Sequence, residues 1–534
     1  MYDFIVIGGG SSGCVTAGKL VSEHGARVLL IEAGWPDQNS LIHMPAGYVR
    51  LLTRPSKYFV GYDSQPQVSL GGRSVRFLQA NVLGGGSSLN AMTYARGTRA
   101  DYDSWDKALG GAGWSWKDML PHFIRQEGNQ RLGLPLHGTD GPLKVSDAHH
   151  PPNEISRAFL LALQAEGIPY TADFNGGDER GVGYIQSTTF RGQRCSAAKA
   201  FIEPLRSDPR LTIKFNSPAL RLVLDGNRAT GVEHAISGGR GTEVAHAANG
   251  IILCAGGLIS PKLLMLSGIG SASELRAHNI SVASHLPGVG QNLQDHNDTH
   301  ILVETTANFG YSGENRGLRM IANGMQYLLF GSGPVASTGS EVTAFLDPVD
   351  YSKPPKVQFY CVGAIYDSSR HVTPATGITL SAALVAPKSR GSVKIRSGDP
   401  KDPPQIDPNW LSEKEDVTDL VQGLRCLQRV MCRTPLRQKV KRVISPITES
   451  SSDAELEDYC RSVTHTNWHP VGTCRMGRDD EEQAVLDPRL RVRGIENLRI
   501  FDGSVMPKII SANTNAPIMA IADKGVELMM EDLA

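Results

Sequence analysis

The hydrophobic pattern at the start of the chain predicts a strand, a tight turn, a helix and a second strand. Residues 3–7 (DFIVI) and 27–31 (RVLLI) are mainly apolar runs, and the apolar positions of 13–23 have helical spacing. Strands buried on both faces have continuous apolar runs, so this order is typical of a βαβ unit with a parallel sheet. Apolar runs at 251–254 and 498–501 predict further strands of the same sheet.

The middle of the chain has a different pattern. Short alternating segments at 356–361 and 391–396 predict strands, and 414–432 has helical spacing. Proline pairs separate these segments and indicate turns. We therefore predict an α+β unit inserted into the α/β domain, with the first domain formed by 1–155, 195–300 and 461–534 and the second by 156–194 and 301–460.

The length and charge of the chain indicate what kind of partner the protein binds. The chain has 534 residues, which is too long for a single core, and its 54 basic residues equal its 54 acidic residues. A chain without net charge has no overall field that attracts nucleic acid or an acidic membrane. We expect a small-molecule partner and no nucleic acid.

The N-terminus and the cysteines suggest a compartment. The chain enters a strand at once, with no leader-like pattern, and it lacks the roughly 20 uninterrupted apolar residues of a membrane helix. Its eight cysteines show no CxxC pair and are expected to be reduced thiols. We expect a cytoplasmic protein without a transmembrane segment.

The first motif is the glycine-rich turn Gly8-Gly9-Gly10-Ser11-Ser12-Gly13. Gly8 permits a tight turn, Gly10 lets backbone amides approach a pyrophosphate, and Gly13 lets the helix pack closely on the strand. Glu32, at the end of the second strand, would accept hydrogen bonds from a ribose. The pattern predicts a dinucleotide site and leaves NAD and FAD open.

A second glycine-rich segment, 83–90 (LGGGSSLN), has many small residues with exposed donors. Such a loop suits another part of a large anionic cofactor, although a simple hinge loop is an equal alternative. Farther on, 256–270 predicts a helix with Ser260 as N-cap and Gly268 as its end.

The segment 464–477 carries the candidate base. His465 and His469 lie four residues apart, with Trp468 between them and Pro470 after them. A neutral imidazole takes a hydroxyl proton near neutral pH. His465 is better explained as a structural residue, and no third ligand nearby in sequence supports a metal, so we expect none.

The last motif runs from Asp502 into a helix predicted at 518–531. Asp502 can accept hydrogen bonds from loop amides or lie near the cofactor. Asn513 and Asn515 have the residue type of helix caps.

Together these segments resemble the glucose-methanol-choline (GMC) flavoprotein oxidoreductases nearly end to end. The first glycine motif through 32–34 (EAG) is similar to the FAD-binding start of that family, 81–103 to its first signature and 256–270 to its second. Gly257 departs from the usual Ala, Ser, Thr or Pro, which removes no functional group. Among relatives the chain looks most similar to bacterial sorbose or alcohol dehydrogenases, choline dehydrogenases and hydroxymethylfurfural oxidases.

The resemblance implies the fold, the cofactor and the site. The fold is a Rossmann-like, glutathione-reductase-like FAD domain with the inserted α+β substrate domain. His469 is the implied active-site base, and Asn513 stands where the family has its second catalytic side chain, His or Asn. The implied FAD-binding residues are Gly8, Gly10, Ser11, Ser12, Gly13, Glu32, Ala33, Val82, Gly84, Gly85, Ser87, Asn90, Ala91, Ala219, Ala255, Trp468, Asp502, Gly503, Asn513 and Thr514.

We expect FAD-dependent oxidation of a small sugar, aromatic or aliphatic alcohol, with oxygen, a quinone or a cytochrome as electron acceptor. An amide at position 513 cannot take a proton, so His469 would be the sole base. The alternatives are an NAD-dependent dehydrogenase, a flavin-dependent lyase or photoenzyme of the same fold, and a flavin-binding scaffold. Some relatives link FAD covalently through a His after the second Ser of the GGGSS loop. Here that residue is Leu89, followed by Asn90, so we expect non-covalent FAD.

Overall fold

The computed structural model describes residues 1–148, 151–239, 241–366, 373 and 375–534. Within these ranges no helix combines the length and the apolar character that crossing a membrane requires. The eight cysteines are unpaired thiols, and all but Cys432 are buried.

The strands alternate between two large sheets and several short ribbons. In chain order they are β1 (Tyr2–Ile7), β2 (Val28–Ile31), β3 (Phe59–Asp63), β4 (Arg76–Ala80), β5 (Glu127–Asn129), β6 (Leu143–Val145), β7 (Gly181–Tyr184), β8 (Thr189–Phe190), β9 (Gln193–Arg194), β10 (Leu211–Lys214), β11 (Ala219–Asp225), β12 (Arg228–Ala235), β13 (Thr242–Leu253), β14 (Ile269–Gly270), β15 (Ser284–His285), β16 (Asn297–Thr305), β17 (Val342–Leu346), β18 (Val357–Val362), β19 (Gly377–Leu384), β20 (Ser392–Lys394), β21 (Gln405–Asp407), β22 (Val440–Val443), β23 (His465–Thr466) and β24 (Leu498–Ile500).

Helices cover both large sheets and form much of the surface. They are α1 (Ser11–Ser22), α2 (Ser40–His43), α3 (Gly47–Leu52), α4 (Gly86–Leu89), α5 (Arg99–Ala108), α6 (Trp116–Gln126), α7 (Glu154–Ala165), α8 (Ile259–Leu266), α9 (Ala272–Ala277), α10 (Gly317–Phe330), α11 (Lys414–Met431), α12 (Leu436–Lys439), α13 (Asp453–Val463) and α14 (Asn515–Leu533). Short 3-10 turns (Val68–Leu70, Glu203–Leu205, Pro334–Ala336, Gly503–Val505) and a π turn (Ala198–Ile202) connect them.

The first sheet has the order β10-β2-β1-β13-β12-β11, with β24 also paired to β13. β1 runs parallel to β2 and β13, whereas β11, β12 and β13 form an antiparallel meander. The strands predicted from the apolar runs near residues 3, 27, 251 and 498 are confirmed as β1, β2, the end of β13 and β24. The carboxyl ends of such parallel strands are where α/β sheets bind ligands.

The second sheet has the order β22-β16-β19-β18-β17-β7, with β23 also paired to β16. Its pairings are antiparallel, and α11 packs against β19. The alternating segment at 356–361 and the helix at 414–432 are confirmed as β18 and α11. Residues at the ends of β1 and β2 and residues of β17 and β18 line one cavity, so the two sheets share one cleft.

Two predictions about helix starts are wrong. α8 has Leu258 rather than Ser260 as its N-cap, because the Ser260 hydroxyl instead donates to the carboxylate of Asp502. α14 begins at Asn515 with Thr514 as N-cap, so neither Asn513 nor Asn515 caps it. In both cases the polar side chain that the local pattern assigns to the helix end instead forms a hydrogen bond with a residue distant in sequence.

Candidate active site

A cavity of about 1810 Å³ lies between the two sheets. Its inner end is formed by the carboxyl ends of β1 and β2 and the two glycine-rich loops, and its outer end by α3, α10 and the segments beside them. β17 and β18 form part of the wall between the ends. The volume exceeds the ~300–1,000 Å³ of most ligand sites, which suits a large cofactor together with a substrate.

The glycine turn at the inner end is packed tightly on one side and open on the other. A Cβ on Gly13 would lie 1.8 Å from the carbonyl oxygen of Gly8, so α1 rests directly on the turn. Gly8 has φ +100, which favours glycine, whereas a Cβ on Gly10 would meet its nearest atom only at 3.8 Å. Gly10 is also the N-cap of α1, and the first turn of that helix contains no acidic residue. The α1 amides therefore present a positive dipole end that suits a pyrophosphate.

Glu32 closes this end of the cavity. Its carboxylate accepts the amide of Gly9 at 2.8 Å and the amide of Gly34 at 2.7 Å. Burial raises the pKa of Glu32, although both amide bonds oppose that change. A carboxylate has about four lone-pair sites, so these bonds leave capacity for a ribose hydroxyl.

The second glycine loop lies directly against the first. Gly85 has φ +52, and a Cβ on it would lie 2.7 Å from the Cα of Gly10. Ser87 is buried and donates to Gly84, and the Arg194 guanidinium holds the loop by donating to the carbonyl oxygens of Ser87 and Asn90. The loop is therefore fixed rather than a free hinge.

Most of the predicted cofactor residues share this cavity. The lining residues are Gly8, Gly10, Ser11, Ser12, Glu32, Ala33, Gly85, Asn90, Ala91, Ala219, Ala255, Trp468, Asp502, Gly503, Asn513 and Thr514. The remaining predicted residues shape the loops from behind, since they do not line the cavity; they are Gly13, Val82, Gly84 and Ser87. The open glycine backbone, the uncapped helix end and Glu32 fit the diphosphate and ribose of FAD.

Asp502 joins three segments beside the cavity. One carboxylate oxygen accepts the amide of Gly256 at 2.8 Å and the hydroxyl of Ser260 at 2.5 Å, and the other accepts the amide of Ser504 at 2.8 Å. Asp502 therefore accepts hydrogen bonds from loop amides and also lines the cavity. These are the two roles that the sequence suggested for it.

The loop that carries His469 is shaped by a buried carboxylate. Asp295 accepts the backbone amide of His469 at 2.8 Å and the hydroxyl of Thr466 at 2.6 Å, and Thr466 accepts the amide of Trp468 at 2.7 Å. Trp468 has φ +59, a left-handed conformation that is unusual for a bulky residue. Burial raises the pKa of Asp295 to about 7. These hydrogen bonds stabilise a strained backbone that directs His469 into the cavity.

His469 is paired with a second histidine. Its Nδ1 lies 3.0 Å from Nδ1 of His296, and Nε2 of His296 lies 3.0 Å from the carbonyl oxygen of Ile510. A carbonyl oxygen only accepts, so neutral His296 carries its proton on Nε2 and accepts at Nδ1. His469 must then donate from Nδ1, which leaves the lone pair of its Nε2 available.

Both imidazoles are held in the neutral form. Burial lowers the pKa of His469 to about 4, and burial together with the neighbouring His469 lowers the pKa of His296 well below its usual range. At neutral pH His469 is therefore an unprotonated imidazole, as a base must be.

Asn513 faces the same cavity from the segment before α14. Its amide oxygen accepts from the Gln358 amide of β18 at 3.4 Å, and Gln358 also donates to the hydroxyl of Thr343 at 3.1 Å. Asn515 is directed elsewhere, because its amide oxygen accepts the hydroxyl of Ser11 at 2.7 Å. The Asn513 amide is thus oriented with its oxygen occupied and its NH₂ group available to donate.

His465 does not face His469. It is buried beside β16, where its Nδ1 lies against the carboxylate of Asp298 and its ring contacts His300 at 5.5 Å between centroids. One donor atom from each of these three residues lies within 4.8 Å of the others. The second and third groups come from β16, more than 160 residues earlier, which is why the spacing near His465 did not reveal them.

Sequence reasoning missed His296, Asp295 and Gln358. For Asp295 and His296 the signal in the sequence was the run of five consecutive polar residues 294–298 (QDHND). All five are buried in the structure. A buried polar residue needs a partner, and here the partners come from the His469 loop and the segment before α14.

Two blocks of the chain, residues 2–298 and 387–522, match the GMC oxidoreductase family. An alcohol dehydrogenase (acceptor) of Pseudomonas putida is 38% identical over 99% of this chain and 96% of its own length. The mitochondrial choline dehydrogenase of Mus musculus is 36% identical over 99% of this chain and 89% of its own length.

Among solved structures, the pyridoxine 4-oxidase from Mesorbium loti is 31% identical with a TM-score of 0.87, and 98% of each chain is covered. A formate oxidase of Aspergillus oryzae is 26% identical with a TM-score of 0.92, over 99% of this chain and 98% of the other. The chain therefore belongs to the GMC oxidoreductase family, the FAD-dependent alcohol oxidoreductases that its sequence motifs indicated.

Proposed function

We propose that His469 is the base and Asn513 the orienting donor in the oxidation of an alcohol to a carbonyl compound. The observation that carries this proposal is the His296 pair, which leaves Nε2 of His469 as an acceptor on the cavity wall. Gln358 holds the Asn513 amide by its oxygen, so its NH₂ group can bind the substrate oxygen. FAD, held by the glycine turn and Glu32, would supply the hydride acceptor, flavin N5.

The proton moves onto Nε2 of His469 as the substrate hydroxyl is deprotonated. The positive charge that then develops on the ring is stabilised through Nδ1–H, which donates to His296. His296 in turn donates to the carbonyl oxygen of Ile510, so the pair delocalises the charge over two rings and a backbone dipole. Asn513 has no basic nitrogen and serves to hold the alkoxide oxygen.

We infer a neutral alcohol as substrate. Gln358, which donates to Asn513, and Thr343, which accepts from Gln358, are uncharged hydrogen-bonding groups that line the cavity. The named relatives, a dehydrogenase of alcohols, a choline dehydrogenase and a pyridoxine oxidase, share a CH–OH donor, which supports this reaction class. Oxygen, a quinone or a cytochrome would serve as the electron acceptor.

We also propose that FAD is bound without a covalent link. Leu89 closes α4, is buried, and offers no nucleophile where some relatives have a linking His. Cys254 lines the same cavity, but burial raises its pKa to about 12, so its thiol stays protonated. Acid precipitation should give a yellow supernatant and a colourless pellet. Yellow retained in the pellet, with an intact mass heavier by one FAD, would overturn this.

The decisive experiment is anaerobic mixing of the holoenzyme with a panel of sugar, aromatic and aliphatic alcohols, while flavin absorbance is followed. We expect bleaching with at least one class and a rate lowered by about 10² or more in His469→Ala, with FAD still bound. His24→Ala, at an exposed histidine that does not line the cavity, is the matched control and should keep the reduction rate within a few-fold. Near-normal reduction in a folded His469→Ala variant would refute the assignment of the base.

A further inference from the structure

The outer surface of α10 is apolar where a soluble protein is normally polar. Its outward residues are between 55% and 85% exposed, and they are Leu318, Ile321, Met325, Leu328 and Leu329. They are spaced i, i+3, i+7, i+10 and i+11, which places them on one stripe of an α-helix. Contiguous apolar surface of this kind marks an interaction site.

The opposite face of α10 is the one that faces the protein. Tyr327 is buried, and the Asn323 amide donates to the carbonyl oxygen and the carboxylate of Glu314. Met320, Asn323, Gly324 and Tyr327 also line the outer end of the cavity, and Leu328, at the edge of the apolar stripe, reaches it as well. α10 therefore packs against the rest of the protein through its polar and aromatic face, and its more apolar stripe faces the exterior.

Arginines lie on α10 itself and on the segments that adjoin it. α3 adjoins the segment after α10, since the Ala46 amide donates to Val335 at 3.0 Å and the Tyr48 hydroxyl donates to Thr338 at 3.0 Å. The loop at 190–192 adjoins the other side, because a Cβ on Gly192 would lie 2.0 Å from the carbonyl oxygen of Gly331. Together the segments 46–54, 190–192 and 311–331 contain one acid, Glu314, and five exposed arginines that we call the arginine collar, which are Arg50, Arg54, Arg191, Arg316 and Arg319. Arg319 forms an ion pair with Glu314 at 3.3 Å, and Arg50, Arg54 and Arg316 also line the outer end of the cavity, so the collar lies at the cavity mouth and has a net positive charge.

We propose that α10 and its arginine collar dock the enzyme on an anionic lipid bilayer. An apolar helix stripe flanked by basic residues lies in the membrane interface, with the apolar side chains below the headgroups and the cations among them. α10 has 14 residues, so it lies on the bilayer and does not cross it. Docking in this way brings the outer end of the cavity to the membrane surface.

The collar argues against a second copy of the chain as the occupant. A two-fold interface places the same patch on both partners, so a patch with a net positive charge would face a second one of the same sign across a desolvated boundary. Anionic headgroups provide the opposite charge to this collar and acyl chains an apolar partner for the stripe.

The test is flotation of the holoenzyme with vesicles of phosphatidylglycerol and phosphatidylcholine, compared with phosphatidylcholine alone. We expect flotation with the anionic vesicles that weakens at high salt. Ile321→Glu/Leu329→Glu, which leaves the cavity lining intact, should lower vesicle affinity about tenfold or more. Arg191→Glu/Arg319→Glu should weaken binding to anionic vesicles alone. Leu161→Glu, at an exposed leucine of α7, is the matched control and should float like the parent protein.

Flavin content and the rate with a water-soluble alcohol verify that the variants are folded. Failure of the parent holoenzyme to float with anionic vesicles would overturn the proposal. It would also be overturned if light scattering showed a dimer that Ile321→Glu/Leu329→Glu dissociates while vesicles remain unbound. Equal flotation of the parent and the Ile321→Glu/Leu329→Glu variant would show that α10 is not the docking element.

Discussion

The two ends of the cavity differ in how they are built. The inner end comes from short sequence motifs whose glycines are packed against backbone, as with Gly13 on Gly8 and Gly85 on Gly10. The outer end comes from α3, α10 and a loop that are distant in sequence, and there a Cβ on Gly324 of α10 would meet no atom within 4 Å. The inner end therefore tolerates little change, whereas the outer surface is open to substitution and to partners.

The same substitution at both ends should give the largest contrast. Gly13→Ala places a methyl group 1.8 Å from a backbone oxygen, so α1 must move away from the turn and the dinucleotide cradle is lost. We expect little or no FAD-loaded protein. Gly324→Ala should keep full FAD content and gain up to about 1 kcal/mol in unfolding free energy from helix propensity. Flavin absorbance per protein and thermal unfolding measure both; a normally loaded Gly13→Ala protein would contradict the comparison.

The next largest effect on flavin reduction is expected from substitution of His296, which is hydrogen bonded to His469. His296→Phe removes the acceptor of the His469 Nδ1 proton, so the tautomer is no longer fixed and the developing charge loses its partner. A hydrogen bond of this kind is worth about 1–3 kcal/mol, so flavin reduction should slow by about 5- to 150-fold. His296→Gln offers a new acceptor and should recover part of the rate. If His296→Phe and His296→Gln reduced flavin at the same rate, and both kept the pH profile of the parent protein, His296 would have only a packing role.

Asn513→Ala should have a smaller effect, because the base remains in place. Loss of one neutral hydrogen bond to the substrate oxygen corresponds to roughly tenfold slower flavin reduction. Asn515→Ala instead removes the acceptor of the Ser11 hydroxyl near the cofactor cradle, and should change FAD retention more than the reduction rate. The reverse order of the two rates in folded proteins would show that the substrate oxygen lies elsewhere.

The smallest effect is expected from pH near neutrality. With its pKa lowered to about 4, His469 is neutral above pH ~6, so the reduction rate should be flat from there to pH ~8 and fall as pH drops through about 4. Because this pKa is below that of an unfolded histidine, about 6.5, the unfolded state binds more protons in between, and stability also falls as pH drops from about 6.5 to 4. Circular dichroism identifies the pH range in which the protein stays folded, and rates measured within that range separate the two effects. A rate that rises steeply between pH 6 and 8 would assign the change to a group other than His469, and Asp295, whose pKa is raised to about 7, is the first such group to test.

The confirmed predictions at the start of the chain depend on residues that are close together in sequence. The strands at residues 3–7 and 27–31 and the Gly8–Gly13 turn follow from apolar runs and glycine chemistry within about 30 residues. The predicted N-cap at Ser260 failed because Asp502, 242 residues later, takes its hydroxyl. Capping by Asn513 failed in the same way, since its partner Gln358 belongs to the other sheet.

The sequence by itself determined the first βαβ unit, the family resemblance and the candidates His469 and Asn513, because these depend on short apolar periods and on motifs that are contiguous in the chain. Only the tertiary structure decided which nitrogen of His469 is the base, since His296 lies 173 residues away. It also gathered five arginines around α10 in a chain with a formal net charge of +0. Charge balance and helical spacing are properties of the chain, but the side of a helix that faces water and the neighbours of a charge are properties of packing.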